Sequence, residues 1–339
     1  MQGIVLTASE EFLATAIEEL QQKFPQHKQV TLGPGLLWLE TGAEHRQQVH
    51  KQLIAKPPIF VRHLYSATMW PVISQPELIA SVSKSLLADL PSVPLGASVA
   101  VQARAVNTTL DWQPRDLKAA CDSVLCEQGY QPTIKDPQWV VSVTQARQAV
   151  YYGLAPASHN LSDWTGGMLH FRKEPGDVSR AKFKLLEAII RFGLHFPHGG
   201  KALDLGAAPG GWTQELLARG LAVVAVDTGE LDPRLNGVKG LRFLQMNVKD
   251  LRFSPLEQFD LITCDMSWDP IFTAKLVNGL VNNLSPGGQV VMTVKLMGKR
   301  PLPTIQRVLT TLDQRLEVSH AQHLWHNRQE ITLHLIRTK

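Results

Sequence analysis

The sequence predicts an α/β protein whose C-terminal half forms a mostly parallel sheet, preceded by smaller α+β units. Three observations point there. From residue 177 onward short apolar runs alternate regularly with amphipathic stretches, the pattern of strands that cross over through helices. The segment LDLGAAPGGWTQELL, 203–217, sets small residues between an apolar strand and an amphipathic helix; glycines there permit a tight turn with close backbone approach to a ligand. Before residue 158 strands and helices also alternate, but in a shorter and less regular order. With 339 residues, 44% of them hydrophobic, the chain is long enough for two compact domains.

In chain order, residues 1–75 read as a small α+β unit: IVLTA as a strand, EEFLATAIEELQQKF as a helix, GPGLLWLET as a glycine-led strand and a short helix around 49–54. Pro57 and Pro58 then precede the apolar run IFVRHLYSATMW. Residues 76–158 form a second module: helix PELIASVSKSLLADL, strand ASVAVQARAV, helix PRDLKAACDSVLCEQG, and one or two strands in QWVVSVTQARQAVYYGLA. The polar, glycine-rich 159–176 reads as a linker carrying a strand that leads into the last domain, 177–339. There, SRAKFKLLEAIIRFGLHF is a helix stopping near Gly199 and Gly200, followed by strand KALDLGAA and helix WTQELLARG. AVVAVD, FLQMNV and FDLITCDM are strands, FTAKLVNGLVNNLS a helix and GGQVVMTVKL a strand; PTIQRVLTTLDQRL and ITLHLIRT add a last helix and strand.

Bulk properties narrow the function. No run of 18 apolar residues appears, and the N-terminus carries acids where a signal peptide has a basic flank; a cytoplasmic protein with no membrane association and no obligate protein partner is expected. Cys121, Cys126 and Cys264 form no CxxC pair and read as buried structural thiols. The net charge of +4 is unevenly divided: residues 1–165 hold 12 Lys and Arg against 14 Asp and Glu, whereas 166–339 hold 22 against 16. The second half is therefore the better face for a polyanion.

GAAPGG lacks the G-x-G-x-x-G spacing of a dinucleotide turn and the Gly-Lys-Ser/Thr ending of a P-loop. LDLGAAPGG instead closely resembles motif I of class I, Rossmann-like S-adenosylmethionine-dependent methyltransferases. That resemblance implies S-adenosylmethionine as cofactor, with Asp204 and the loop of Gly206, Ala207, Ala208, Pro209, Gly210 and Gly211, followed by Trp212, surrounding its methionyl part. A ligand with a sulfonium, an amino-acid end and an adenosine needs close backbone approach and a carboxylate, but no diphosphate cradle. Asp227, ending the strand AVVAVD about 20 residues on, is placed to accept from a ribose diol. Asp250, after MNV, is a candidate partner for the adenine amino group, and Asp265 belongs to the same surroundings. Helix capping or loop contacts are the alternative for each aspartate.

Lys184 in SRAKFKLLEA, Asp265 in LITCDMSW, Lys295 in VVMTVKL and Glu330 in NRQEITLHL fall where such a fold brings them together. They match the Lys-Asp-Lys-Glu tetrad of the FtsJ-like ribose 2′-O-methyltransferases, a resemblance covering about 166–339. A ribose hydroxyl is a poor nucleophile, so its transfer reaction benefits from a base that accepts the proton as the C–O bond forms. Lys295 is the candidate base and must act neutral, although lysine titrates near pKa 10.4. Lys184, with desolvation by Leu296 and Met297, is expected to disfavour its charge; Asp265 and Glu330 orient and balance the cluster, which titrates as a coupled set. No metal is required. The sequence departs from the family at DMSWDP, where many relatives carry Asp-Met/Leu-x-Pro: Trp268 takes the proline's place and Pro270 follows, which puts the acceptor pocket's shape in question.

Arg172, Lys173, Arg180, Lys182, Lys299 and Arg300 are candidates to position RNA phosphates, and Trp268 either stacks on a base or serves as core or lid. His320, His323 and His326 read as a helix or turn surface rather than a zinc site. The layout of 76–158 is similar to the THUMP domain of RNA-modifying enzymes, which implies capture of structured RNA. The combined plan resembles the bacterial 23S rRNA cytidine 2′-O-methyltransferases of the M type, which implies 23S rRNA or its precursor as partner. Two alternatives stand beside this: methylation of an RNA base or small molecule, disfavoured by the absence of an Asn/Asp-Pro-Pro-Tyr/Phe segment, and a non-catalytic RNA-binding or assembly role.

Overall fold

A computed structural model describes residues 1–108, 110–296, 298 and 300–338; Met297 and Lys299, both named above, lie outside the described residues. The chain divides into two compact units, Met1–Met168 and Leu169–Lys339.

The first unit runs β1 (Gln2–Thr7), α1 (Leu13–Lys23), β2 (Lys28–Gly33), β3 (Leu36–Glu40), α2 (Gly42–Ala55), β4 (His63–Pro71), α3 (Gln75–Asp89), β5 (Ser98–Val106), α4 (Pro114–Glu127), β6 (Gln131–Pro132), β7 (Trp139–Ala146) and β8 (Ala149–Pro156). Among the described residues these strands make one eight-stranded sheet in the order β2-β3-β1-β4-β8-β7-β5-β6. β4 pairs antiparallel with β8, Thr68 opposite Tyr152, so residues 1–75 and 76–158 share a sheet instead of building one each. β2 was not expected: its residues before Leu32 are exposed or half-buried without regular alternation, and an edge strand with one wet face carries little apolar signal. α2 is longer than the expected 49–54 because its first turns, AEHRQQ, are polar and only Val49, His50 and Leu53 are buried. Cys126 is exposed on α4, unlike buried Cys121 and Cys264, because it lies off the face that buries Leu117, Cys121 and Leu125.

Between 157 and 181 the described residues form two short 3-10 turns, Ala157–His159 and Thr165–Gly167, and not the expected leading strand. Gly166 and Gly167 take φ of +63° and +73°, a left-handed conformation incompatible with extended pairing. A Cβ on Gly167 would lie 2.6 Å from the Arg62 carbonyl oxygen.

The second unit runs α5 (Lys182–Phe192), β9 (Lys201–Leu205), α6 (Gly211–Ala218), β10 (Ala222–Asp227), β11 (Leu241–Gln245), β12 (Phe259–Cys264), α7 (Pro270–Gly279), β13 (Leu284–Lys295), α8 (Pro301–Thr311), β14 (Leu316–Gln322) and β15 (Glu330–Arg337). The sheet order is β11-β10-β9-β12-β13-β15-β14. β11 through β13 are parallel neighbours, and β15 runs antiparallel between β13 and β14. Strands covered on both faces need continuous apolar runs, and Leu203, Leu205, Leu261, Ile262, Val290 and Val291 are all buried. The chain reverses direction across the sheet between β9 and β12, so their carboxyl ends open a crevice. α5 stops at Gly193, φ +60°, where the Leu194 N–H closes onto the Ile189 carbonyl; the expected stop at 199–200 was six residues late because LHF continued the apolar pattern. β14 replaces the turn surface expected around His320, its polar residues facing water on the sheet edge.

Asp204 fastens this unit together. It is 1% exposed; its Oδ2 accepts from Thr213 Oγ1 at 2.6 Å and its Oδ1 from Thr263 Oγ1 at 2.8 Å. One carboxylate in β9 thereby ties α6 to β12. Burial pushes its pKa up to about 6 against the two hydroxyl hydrogen bonds, with Asp265 and Asp227 adding repulsion.

Two outcomes are expected. Gly153 of β8 has no room for a side chain, since a Cβ would lie 2.1 Å from the Ser66 carbonyl oxygen of β4; Gly153→Ala should lower unfolding free energy by about 1–3 kcal/mol in urea melts, and an unchanged midpoint would contradict the close approach. Asp204 is raised from 3.8 to about 6, so between those values the folded chain holds a proton the unfolded chain has released. Stability then falls as pH rises through that window, by up to about 3 kcal/mol. Asp204→Asn lacks this titration, so melts from pH 4 to 7 should show the parent losing ground to the variant; a pH-independent difference would contradict the raised pKa.

Candidate active site

The glycine turn joins β9 to α6 at the crevice. Gly206, at φ +73°, and Ala207 both donate their N–H to the Val226 carbonyl, at 2.9 and 3.2 Å. Ala208 N–H donates to Asp227 Oδ2 at 2.9 Å, and Gly229 N–H to Asp227 Oδ1 at 2.8 Å. The first donors of the turn are thus spent on β10 and on Asp227. Close approach remains its defining property: a Cβ on Gly206 would lie 2.4 Å from Met266 Cγ, and one on Gly210, φ +112°, 2.2 Å from Leu235 Cδ1. Pro209 accepts from Asp232 N–H through its carbonyl, at 2.9 Å. Gly211 opens α6, and buried Trp212 donates from Nε1 to the Ala181 carbonyl at 2.8 Å, anchoring the turn to the start of α5.

The four predicted aspartates occupy different stations. Asp204 is buried behind the turn with its oxygens on two threonines, so it braces the turn where the sequence suggested it would line a ligand. Asp227 is half-buried at the carboxyl end of β10, and a carboxylate oxygen with one N–H partner retains further acceptor capacity. Asp250 is exposed at the end of a 3-10 turn, Val248–Asp250, beyond β11. Asp265 follows β12. Asp269 was not singled out; it caps α7 by accepting from the Ile271 and Phe272 N–H groups, with Pro270 in the first turn. That capping is the physical reason for the shifted proline in DMSWDP.

Lys184, Asp265, Lys295 and Glu330 converge. Lys184 Nζ lies 3.1 Å from Asp265 Oδ2 and 2.9 Å from Glu330 Oε1; Lys295 Nζ lies 3.1 Å from Asp265 Oδ1 and 3.5 Å from Glu330 Oε2. The fold dictates this ring: β13 ends on Lys295, directly opposite the first residue of antiparallel β15, Glu330. β12 delivers Asp265 from the other side, and α5 supplies Lys184 from above. Thr293 Oγ1 donates to Asp265 Oδ1 at 2.9 Å, and Arg328 N–H to Glu330 Oε1 at 3.2 Å. Burial favours neutral Lys184, but Asp265 and Glu330 outweigh it and raise its pKa. Glu330 is the mirror case: burial opposes its charge, and Lys184 with Lys295 prevails and lowers its pKa. Lys184 is therefore a firmly compensated cation, whereas the sequence had suggested that it presses charge off Lys295.

The ring opens into a cleft of about 790 Å³ whose lining includes Lys173, Arg180, Arg328, Phe171, Trp325 and His326. Of the expected phosphate contacts, Lys173 and Arg180 line it. Arg172 and Arg300 are exposed, but Lys182 is ion-paired with Asp177 and so already compensated. Trp268 is half-buried, edge-on to Phe272 with centroids 5.4 Å apart and with Lys249 Nζ 5.2 Å above its ring. The histidines separate: His320 stacks on Phe192 at 4.8 Å, His323 is buried and His326 stacks on Phe171 at 5.2 Å. Among the described residues no three His, Cys, Asp or Glu side chains group as metal ligands. Arg328 and buried Glu187 were not anticipated; the only sequence signal for Glu187 is an acid on the apolar face of α5.

Residues 178–308 match the family model described as FtsJ-like methyltransferase. Two curated relatives named "Ribosomal RNA large subunit methyltransferase M" are similar: that of Halorhodospira halophila is 34% identical over 177 residues, 51% of each chain. That of Shewanella pealeana is 31% identical over 210 residues, 58% of this chain and 57% of the relative. The match thus spans about half the length of these relatives. The solved TrmN from Thermus thermophilus aligns over 99% of this chain and 100% of its own, with a TM-score of 0.42 and 16% identity. S-adenosylmethionine, the methyl donor of such domains, has a candidate acceptor beside the turn in Asp227, which ends β10 half-buried and keeps acceptor capacity beyond its two N–H partners. Residues 178–308 of the second unit are thus similar to FtsJ-like methyltransferases, and the unit has the α/β sheet expected of a class I, S-adenosylmethionine-dependent methyltransferase.

Proposed function

We propose that this chain is an S-adenosylmethionine-dependent methyltransferase acting on a ribose 2′-hydroxyl of RNA, with a cytidine in 23S rRNA or its precursor as acceptor. The observation that carries the reading is the alternating ring of Lys184, Asp265, Lys295 and Glu330 at the mouth of a cleft lined by cations and aromatic rings. The names of the curated relatives support ribosomal RNA, and a cytoplasmic location goes with it. In the first unit, residues 76–158 are read as a THUMP-like element for RNA capture. Among the described residues no helix is long and apolar enough to cross a membrane.

In this reading Asp227 accepts from the cofactor's ribose diol, Asp250 takes its adenine amino group, and the turn from Gly206 to Trp212 holds the methionyl end. The bound cofactor supplies a sulfonium methyl that is open to in-line attack. Lys295 Nζ takes the proton from the 2′-oxygen as that attack proceeds. The resulting ammonium lies between Asp265 and Glu330, whose negative charge is worth most in a site screened from water. Lys184 holds both carboxylates in place, since its three contacts with them lie between 2.9 and 3.2 Å. Buried Leu296 beside Lys295 limits water there. Lys173, Arg180 and Arg328 meet phosphates, and so orient the sugar.

Incubation with labelled S-adenosylmethionine and unmodified 23S rRNA, followed by nuclease digestion and mass spectrometry, is expected to find the methyl group on a ribose; methyl on a base, or no transfer despite cofactor binding, refutes the reading. Lys295→Ala should lower kcat by at least about 100-fold while calorimetric affinity for the cofactor stays close to that of the parent. Equal turnover would remove Lys295 as the base.

A further inference from the structure

We propose that the cleft wall formed by Phe171, Trp325 and His326 is the subsite for the acceptor nucleobase, and that Glu187 is the positioning residue that sets it. The proposal rests on the ribose-methylation reading above. Glu187 lies three residues after Lys184 on α5, hence on the same helical face, and is 1% exposed. Its Oε1 accepts from the Trp325 N–H and its Oε2 from the His326 N–H, both at 2.7 Å. Two N–H groups, one on each oxygen of a single carboxyl group, make a short, directional clamp. α5 therefore sends one carboxylate to the wall and one ammonium to the tetrad from adjacent turns.

The clamped segment links the two features through its own backbone. Beyond His326, Asn327 Oδ1 accepts from the Leu324 N–H at 2.8 Å, closing a turn, and the Arg328 N–H reaches Glu330 of the tetrad at 3.2 Å. The wall's rings are fixed as well as its chain. His326 stacks on Phe171, centroids 5.2 Å apart and planes 24° apart, and its Nε2 donates to the Leu169 carbonyl at 3.0 Å; Trp325 meets His170 edge-on at 5.7 Å. Half-buried aromatic surface beside cations suits a nucleobase, whose π-face stacks whatever its edge groups. The 2′-hydroxyl and the base hang from one sugar, so a ring wall and a proton acceptor lining one cleft can hold one nucleotide.

The test uses the full chain and an oligoribonucleotide containing the mapped acceptor, compared with the same strand made abasic at that nucleotide with its 2′-hydroxyl kept. The parent protein is expected to lose about tenfold or more in kcat/KM on the abasic strand. Glu187→Gln should raise KM for the intact strand by about tenfold, leave calorimetric cofactor affinity unchanged and largely abolish the abasic penalty. Phe171→Ala, at the cleft surface, should do the same, and it decides the matter if Glu187→Gln fails to fold by circular dichroism. Ribose methylation without an abasic penalty in the parent, or an equal penalty in parent and variants, overturns the subsite alone. No ribose methylation of the intact strand overturns the function on which it rests.

Discussion

Two lysines and two acids can share a partly buried site only when each lysine borders acids and each acid borders lysines, because the loss of hydration is otherwise uncompensated. Lys184, Asp265, Lys295 and Glu330 meet that constraint as a ring in which lysine and acid alternate. Much of the second unit follows from keeping it closed. β13 and antiparallel β15 set Lys295 opposite Glu330, the parallel pairing of β12 with β13 brings Asp265 alongside, and α5 must stand where its first turn spans both carboxylates. A shift of one residue in any of these strands would turn a charge toward the apolar interior.

A second polar core lies deeper. Asp204 with Thr213 and Thr263 holds β9, α6 and β12 in one register, which fixes the start of the glycine turn relative to the strand that delivers Asp265. The turn is also secured without help from a ligand, since Gly206, Ala207 and Ala208 spend their N–H groups on β10 and Asp227. The glycine turn and Asp265 are in this way built on neighbouring strands, β9 and β12.

What could be read from sequence was whatever local periodicity and strand ends determine. The parallel core strands announced themselves as unbroken apolar runs, and Asp265 and Lys295 stood at the carboxyl ends of two of them. Features set by long-range packing were hidden. β2 and β14 are the edge strands of their sheets, with polar faces, and neither shows the alternation that marks a half-buried strand. Gly193 ended α5 six residues before the apolar pattern faded. Lys182 looked like a phosphate ligand until Asp177 was seen beside it. Glu187 is an acid on the apolar face of α5, and only the return of the chain at Trp325 and His326 shows why an acid is buried there.

The pairing of β4 with β8 has a bearing on how the N-terminal unit can be divided. Severed from β1 through β4, residues 76–158 would present the hydrogen-bonding edge of β8 to solvent, together with the face on which Tyr151 meets Trp38 at 5.0 Å. A long open edge of this kind recruits other chains. The segment is thus half of a cooperative unit, and the first 71 residues serve as its built-in guard against association.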